Sequence, residues 1–223
     1  MTVIPRPAST IVLLDHSSRV YLTKRPKTMK FFGGFYVFPG GAVEKGDYAL
    51  DFEYIKNGIR NESFDAAYYV AAARELFEEV GVLLGSTDDG SDLQLNKGTA
   101  IEYRRLLLDG EISFLQLLKQ EGLHLNLDNI TFFGHLVTPK EKPIRFDTRF
   151  FITQLPNGQY PNPDVNEVDE ANWFSPQDAL SAYQSGKISL APPTIIALRT
   201  IMNSQNGTTL MMPDLQTAKK WFE

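Results

Sequence analysis

The stretch Arg74-Glu75-Leu76-Phe77-Glu78-Glu79-Val80-Gly81 places one guanidinium and three carboxylates within six residues. On a helix, Glu75, Glu78 and Glu79 stand at i, i+3 and i+4 and project from one arc about 100° wide. Arg74 lies four residues before Glu78 and can brace it. Two local rules are broken here. Like charges at i and i+4 cost a few tenths of a kcal/mol. Glu78 and Glu79 also fall in the last turn, where the helix dipole disfavours anions by roughly 0.3–1 kcal/mol each. Such violations tend to mark functional sites. A divalent cation would reverse the sign of both penalties, and carboxylate oxygens suit Mg²⁺ or Mn²⁺. The ordinary alternative is the solvated face of an amphipathic helix.

The elements that must carry these residues follow from periodicity. Tyr69, Ala73, Leu76 and Val80 form one apolar stripe, so the spacing predicts a helix over 65–80, closed by Gly81. Upstream, 9–14 (STIVLL) and 19–23 (RVYLT) read as strands paired through the turn at Asp15-His16-Ser17-Ser18. The Gly-rich run Phe31 to Gly41 predicts a short strand over 35–38 and then a loop, and 42–62 reads as irregular. Beyond the acidic helix lie a polar loop over 85–98 and helices over 99–108 and 111–120. Strands follow over 130–138, 146–155 and 168–174. Three helices that open near proline are expected over 176–183, 193–203 and 213–222. Phe132, Phe133, Phe150 and Phe151 read as core. The sum is a mixed α/β fold with no composition break, hence one domain over 1–223, with a core at about 7–180 and a helical extension at about 181–223.

Composition narrows the chemistry. The 223 residues include no cysteine, which excludes disulfides, thiol catalysis and thiolate metal sites. The three histidines, His16, His124 and His135, are far apart in sequence. A count of 22 basic against 27 acidic residues gives −5, which argues against a broad nucleic-acid or membrane-surface footprint. No apolar run approaches the roughly 18–20 residues of a membrane helix, and neither end carries a targeting or lipidation pattern. A cytoplasmic protein acting on a small molecule is expected, with homodimerisation left open.

The acidic stretch and its surroundings resemble the Nudix hydrolase box, G-x5-E-x7-R-E-U-x-E-E-x-G-U with U apolar. Arg74 to Val82 match the second half at every defined position, and Gly41 matches the opening glycine. Asp47 stands where the box has Glu. The arginine would fall at 55 but stands at 74, an insertion of 19 residues. A Nudix subgroup that includes mammalian CoA diphosphatases has an interrupted box, and the chain looks like that subgroup. Trp173-Phe174-Ser175-Pro176 with Ala179-Leu180 is similar to the strand-then-helix end of a Nudix domain. The resemblance implies an α/β/α sandwich with a mixed β-sheet and extra helices. It also implies a Mg²⁺- or Mn²⁺-dependent hydrolase of nucleoside diphosphate derivatives. By match to the motif, Glu78 and Glu79 would be metal ligands, Glu75 a ligand or the general base, and Arg74 would orient the carboxylates. The backbone at Gly40 and Gly41 would approach metal or phosphates. Some Nudix enzymes add a carboxylate from another loop; of Asp164, Glu167, Asp169 and Glu170, Glu167 is the choice.

Thr23-Lys24-Arg25, then Lys30, Gly34 and Phe38-Pro39-Gly40-Gly41, resemble the signature upstream of the box in CoA diphosphatases. Pro26 and Lys30 depart from it, and Lys30 lacks the bidentate fork of arginine. This points to CoA or an acyl-CoA, with NADH or ADP-ribose as the alternatives. Arg145 and Arg149 flank Asp147 at period two and share a face. They would either contact phosphates or form a structural ion-pair row. Two other classes stay open: a catalytically silent nucleotide sensor, and an acidic module that binds a basic partner.

Overall fold

In the computed structural model the described residues are 3–57, 64–91, 93, 95–205 and 207–221. The chain begins with strand β1 (Arg6–Leu14), which turns through Asp15 into β2 (Val20–Lys24). The Asp15 carboxylate accepts the amides of Ser17 and Arg19 at 2.9 and 2.8 Å, which fixes the turn. Next come β3 (Tyr36–Val37) and β4 (Gly40–Ala42). A 3-10 turn at Lys45–Tyr48 and the short β5 (Ile55–Lys56) lie in the segment that reads as irregular in sequence. Helix α1 spans Ala67–Val80, α2 Lys97–Leu108 and α3 Phe114–Glu121. Then follow β6 (Leu125–Asn126), β7 (Thr131–Val137), β8 (Phe146–Gln154) and β9 (Glu170–Phe174). Helices α4 (Pro176–Gln184), α5 (Pro192–Ser204) and α6 (Leu215–Ala218) close the chain.

The sheet is mixed. Its strands run β3-β2-β1-β8-β7, with β4 added to β1 and β9 to β2. Among the described strands of this sheet only β1 and β8 pair in parallel, from Arg6↔Phe146 to Leu14↔Gln154, while β5 and β6 form a separate parallel pair. The middles of both strands are buried on both faces, which explains the apolar runs Ile11-Val12-Leu13 and Phe150-Phe151-Ile152. Ile11 and Leu13 of β1 and Phe151 of β8 face α1, α2 and α3, whereas Val12, Phe150 and Ile152 face α4 and α5. The fold is therefore an α/β/α sandwich. Phe133, Phe150 and Phe151 are buried and Phe132 packs against the core, as core residues should.

Two expectations need correction. The single helix over 213–222 is instead the four-residue α6, capped by Asp214, followed by a 3-10 turn at Lys219–Trp221. Phe222 lies outside the described residues. The loop expected after 35–38 contains β4, which pairs antiparallel with Ala8–Thr10. Glycine has no strand propensity, so this pairing is dictated by β1 rather than by local sequence.

Helix α1 is not a surface helix. All its residues except Glu75 are buried, because β1 packs on one side and α2 and α3 on another. Burying side chains such as Leu76 and Phe77 stabilises the fold by roughly 1.5–3 kcal/mol each. The Asp65 carboxylate accepts the Ala67 amide at 2.9 Å and starts the helix; Gly81, at φ 71°, ends it as the sequence predicts.

Candidate active site

Arg74 is buried at 4% exposure and is spoken for on every side. Its Nε and Nη2 donate to the two oxygens of Asp47 at 3.0 and 3.1 Å. Its Nη1 donates to Glu78 at 2.6 Å and lies 3.0 Å from Glu75, and Nη2 also donates to the Ala42 carbonyl at 2.9 Å. Burial alone would depress the guanidinium's pKa, but Glu75, Asp47 and Glu78 more than reverse that and hold it charged. The 3-10 turn at Lys45–Tyr48 is what delivers Asp47. Asp47 reaches back to the Glu44 amide at 2.8 Å and is 1% exposed. The shorter acid at this position is therefore an internal fork for Arg74, despite the 19 extra residues between them.

The glutamates are not a solvated face. Glu78 and Glu79 are 4% and 7% exposed. Burial raises the pKa of Glu78 to about 7 and that of Glu75 to about 8, against the pull of Arg74. Burial, and next the Glu75 charge, push Glu79 up as well, opposed by Arg25 and by a hydrogen bond from the Gly40 amide. Gly41 is equally constrained: a Cβ there would fall 2.4 Å from Glu75 Oε1. Gly40 could carry no side chain either, since its Cβ would lie 2.4 Å from the Ser9 carbonyl. Glu167 comes from the loop before β9, and its charge acts on Glu75, Glu78 and Glu79 alike. Its own pKa is raised, by burial first and by Asp164 next. Four carboxylates from two elements thus share a desolvated space. The donor chemistry fits a hard divalent cation, which would offset both the burial and the mutual repulsion. Among the described residues no three carboxylate or histidine groups stand in a cluster that could hold a metal ion as they are. Glu75 and Glu78 are drawn toward Arg74 instead.

Of the basic residues singled out in sequence, Arg25 joins this cluster. It acts electrostatically on Glu79 and Glu167, and its Nε is buried without a hydrogen-bond partner among the described residues. Lys30 is exposed on the loop beyond it. Arg145 is buried, donating to the backbone carbonyls of Thr138 at 3.0 Å and of Val3. Arg149 pairs with Asp147, which also binds His135 Nε2 at 2.6 Å, and its guanidinium lies over the Tyr68 ring at 4.9 Å. The row of three thus splits: 147 and 149 pair, while 145 ties down backbone. A cleft of about 970 Å³ opens beside Asp47 and Arg74, between the 3-10 turn and the start of α3.

One residue at the site escaped the sequence reading. Arg104 of α2 is buried, and its Nε and Nη2 donate to the Glu78 carbonyl at 2.9 and 2.6 Å. The signal was a charge on a buried stripe, between Ala100 and Leu107.

Comparison with known proteins gives the family and the fold. Residues 57–201 match the family profile described as the NUDT19 Nudix domain, and residues 4–104 match the NUDIX domain. A Caenorhabditis elegans protein named among the nudix hydrolases is 31% identical over 86% of this chain and 58% of its own length. A Xenopus laevis protein named acyl-coenzyme A diphosphatase NUDT19 is 28% identical over 80% of this chain and 58% of its own. The chain thus spans under two thirds of the curated relatives it matches. The crystal structure of a NUDIX hydrolase from Alicyclobacillus acidocaldarius superposes with a TM-score of 0.81 at 29% identity, covering 96% of this chain and all of that one.

Proposed function

The chain belongs to the Nudix hydrolase family, and from that premise we propose that it is a divalent-cation-dependent diphosphatase acting on CoA or an acyl-CoA. The observation that carries the reading is the cluster of buried Glu78 and Glu79 with half-buried Glu75 and Glu167, braced by Arg74 and faced by Arg25. The relatives named as acyl-coenzyme A diphosphatases support the substrate class, as does the upstream Arg25 and Lys30 pattern.

Glu78, Glu79 and Glu167, with Glu75 beside them, are the residues that would hold Mg²⁺ or Mn²⁺. When bound, the cation neutralises phosphate oxygens and sharpens water as a nucleophile. The chain's own part is positioning. Arg74 fixes the rotamers of Glu75 and Glu78 against Asp47. Gly40 donates its amide to Glu79, and Gly41 leaves room for Glu75. Water forms a new O–P bond, the bridging P–O bond breaks, and the departing phosphate leaves with that electron pair. The proton of the water passes to a carboxylate; Glu75, beside the other three acids and held by Arg74, is the candidate to accept it. Arg25, with a buried donor to spare, meets a phosphate oxygen, and Lys30 at the loop surface adds a second cation for a substrate rich in phosphate. Arg145 and Arg149 are too committed to backbone, Asp147 and Tyr68 for direct contact, and act as supports. That α5 supplies Ile195, Ile196, Leu198 and Ile201 to the core on the second face of the sheet supports reading the chain as one domain.

The test is parallel turnover of CoA, NADH and ADP-ribose with Mg²⁺ and with Mn²⁺, with Glu78→Gln beside the native protein. Metal-dependent cleavage fastest on CoA, and reduced at least about a hundredfold in the variant, is expected. Faster turnover of another diphosphate would keep the site and remove the CoA assignment. Nucleotide binding without turnover would make the chain a sensor.

A further inference from the structure

An α-helix leaves its last four carbonyls without intrahelical partners, and buried carbonyls need them. At the C-terminus of α1 each has one. Phe77 accepts the Gly81 amide at 2.9 Å. Val80 accepts the Asn162 amide at 2.7 Å, and Glu79 the Asp164 amide at 2.8 Å. Among the described residues Glu78 alone of these four has no backbone donor, and there Arg104 supplies two bonds, at 2.9 and 2.6 Å. The same guanidinium donates to Glu79 O at 3.2 Å and to Asn162 O at 2.8 Å. Its nearest carboxylate, Asp164, is 3.9 Å away. Arg104 therefore grips backbone, not acid. It joins the two residues whose carboxylates dominate the helix end to the loop that carries Glu167. Gly81 leaves space for this, since a Cβ there would lie 3.3 Å from Arg104 Nη1 and from Asn162 O. A fixed positive charge also offsets the negative end of the α1 dipole, just where Glu78 and Glu79 add to it.

We propose that Arg104 is a positioning residue that holds Glu78 and Glu79 in register with Glu167, so that the two elements present one cation site. The proposal rests on the metal reading of the cluster given above. It predicts that removing the guanidinium loosens cation binding more than substrate binding. Groups behind metal ligands typically contribute about 10–100-fold to metal affinity or activity.

Mn²⁺ binding is measured directly, from the paramagnetic resonance signal of free Mn²⁺, for the native protein, Arg104→Gln, Arg104→Lys and Glu78→Gln. Thermal melts in chelator show which variants fold. The expected result is a folded Arg104→Gln with Mn²⁺ bound at least about tenfold more weakly. In turnover, the Mn²⁺ concentration for half-activation rises in parallel, while KM for CoA at saturating Mn²⁺ moves by less than about threefold. Arg104→Lys keeps the charge but not the fork, and falls between; it decides the matter if Arg104→Gln does not fold. Native Mn²⁺ affinity in whichever of these folds overturns the proposal while leaving the metal reading intact, provided Glu78→Gln has lost affinity. No Mn²⁺ binding by the native protein overturns both.

Discussion

Among the described residues two arginines each have three carboxylate partners. Arg74 pairs with Asp47, Glu75 and Glu78, and Arg105 with Glu102, Asp109 and Glu111. Their distances are alike, from 2.6 to 3.0 Å and from 2.8 to 2.9 Å. Their side chains are 5% and 48% exposed. Counted as ion pairs the two networks are equivalent; physically they are not. Around Arg105, water competes for every partner, and holding long side chains together costs entropy. Around Arg74 there is little water, so each charge depends on its neighbours, and the loss of one partner strands the others.

The sharpest way to break the comparison is to remove one acid from the buried network. Asp47→Ala leaves a buried guanidinium short of its bidentate partner and should lower stability by about 3–5 kcal/mol, read as the denaturant midpoint. Turnover should fall with it, because Arg74 then no longer holds Glu75 and Glu78. Stability equal to native would mean that water reaches Arg74 and that the contrast with Arg105 is false.

A smaller effect comes from pH. Glu75 and Glu78 have folded pKa values of about 8 and about 7, above the ordinary 4.5. The folded state therefore holds protons that the unfolded state releases. The stability this contributes is complete below about pH 4.5 and is lost as pH rises through 7 to 8. In chelator, the melting temperature should decline between pH 5 and 9, and Glu78→Gln should flatten the decline. Added Mn²⁺ should raise the melting temperature more at pH 8.5 than at pH 5.5, since cation binding requires the deprotonated acids. A metal-free melting temperature that climbs over this range would show the carboxylates to be solvated.

The smallest effect belongs to the exposed network. Arg105→Ala should leave both the melting temperature and turnover within error of native, and added salt should change the native melting curve little. A clear loss would mean that the exposed network contributes to the fold after all.

The acidic helix was legible because everything that defines it is local: the stripe from Tyr69 to Val80, the stop at Gly81, and the i, i+3, i+4 acids. Glu167 was legible only as one of four acids in a loop, and it is the fold that sets its charge against the other three. Asp47 was undervalued, because the sequence shows a shortened acid but not the 3-10 turn that carries it inward. Arg104 showed only as a charge on an apolar stripe, and its role was hidden for a different reason. Its partners are main-chain carbonyls, which every residue has, so no spacing of side chains announces the contact. Likewise β5 and β6 pair at Ile55↔Leu125 and Lys56↔Asn126, contacts so distant in sequence that no local pattern encodes them.

The fork between Asp47 and Arg74 separates two kinds of inheritance. It pins the ends of the intervening segment to each other, so the geometry at the acids does not depend on how many residues run between them. Lengthening a loop already closed in this way costs only about 0.6 kcal/mol per doubling. The reaction centre and the segment that interrupts it can therefore diverge at different rates. The interruption is free to acquire contacts with whatever molecule borders the cleft, while the chemistry is passed on unchanged.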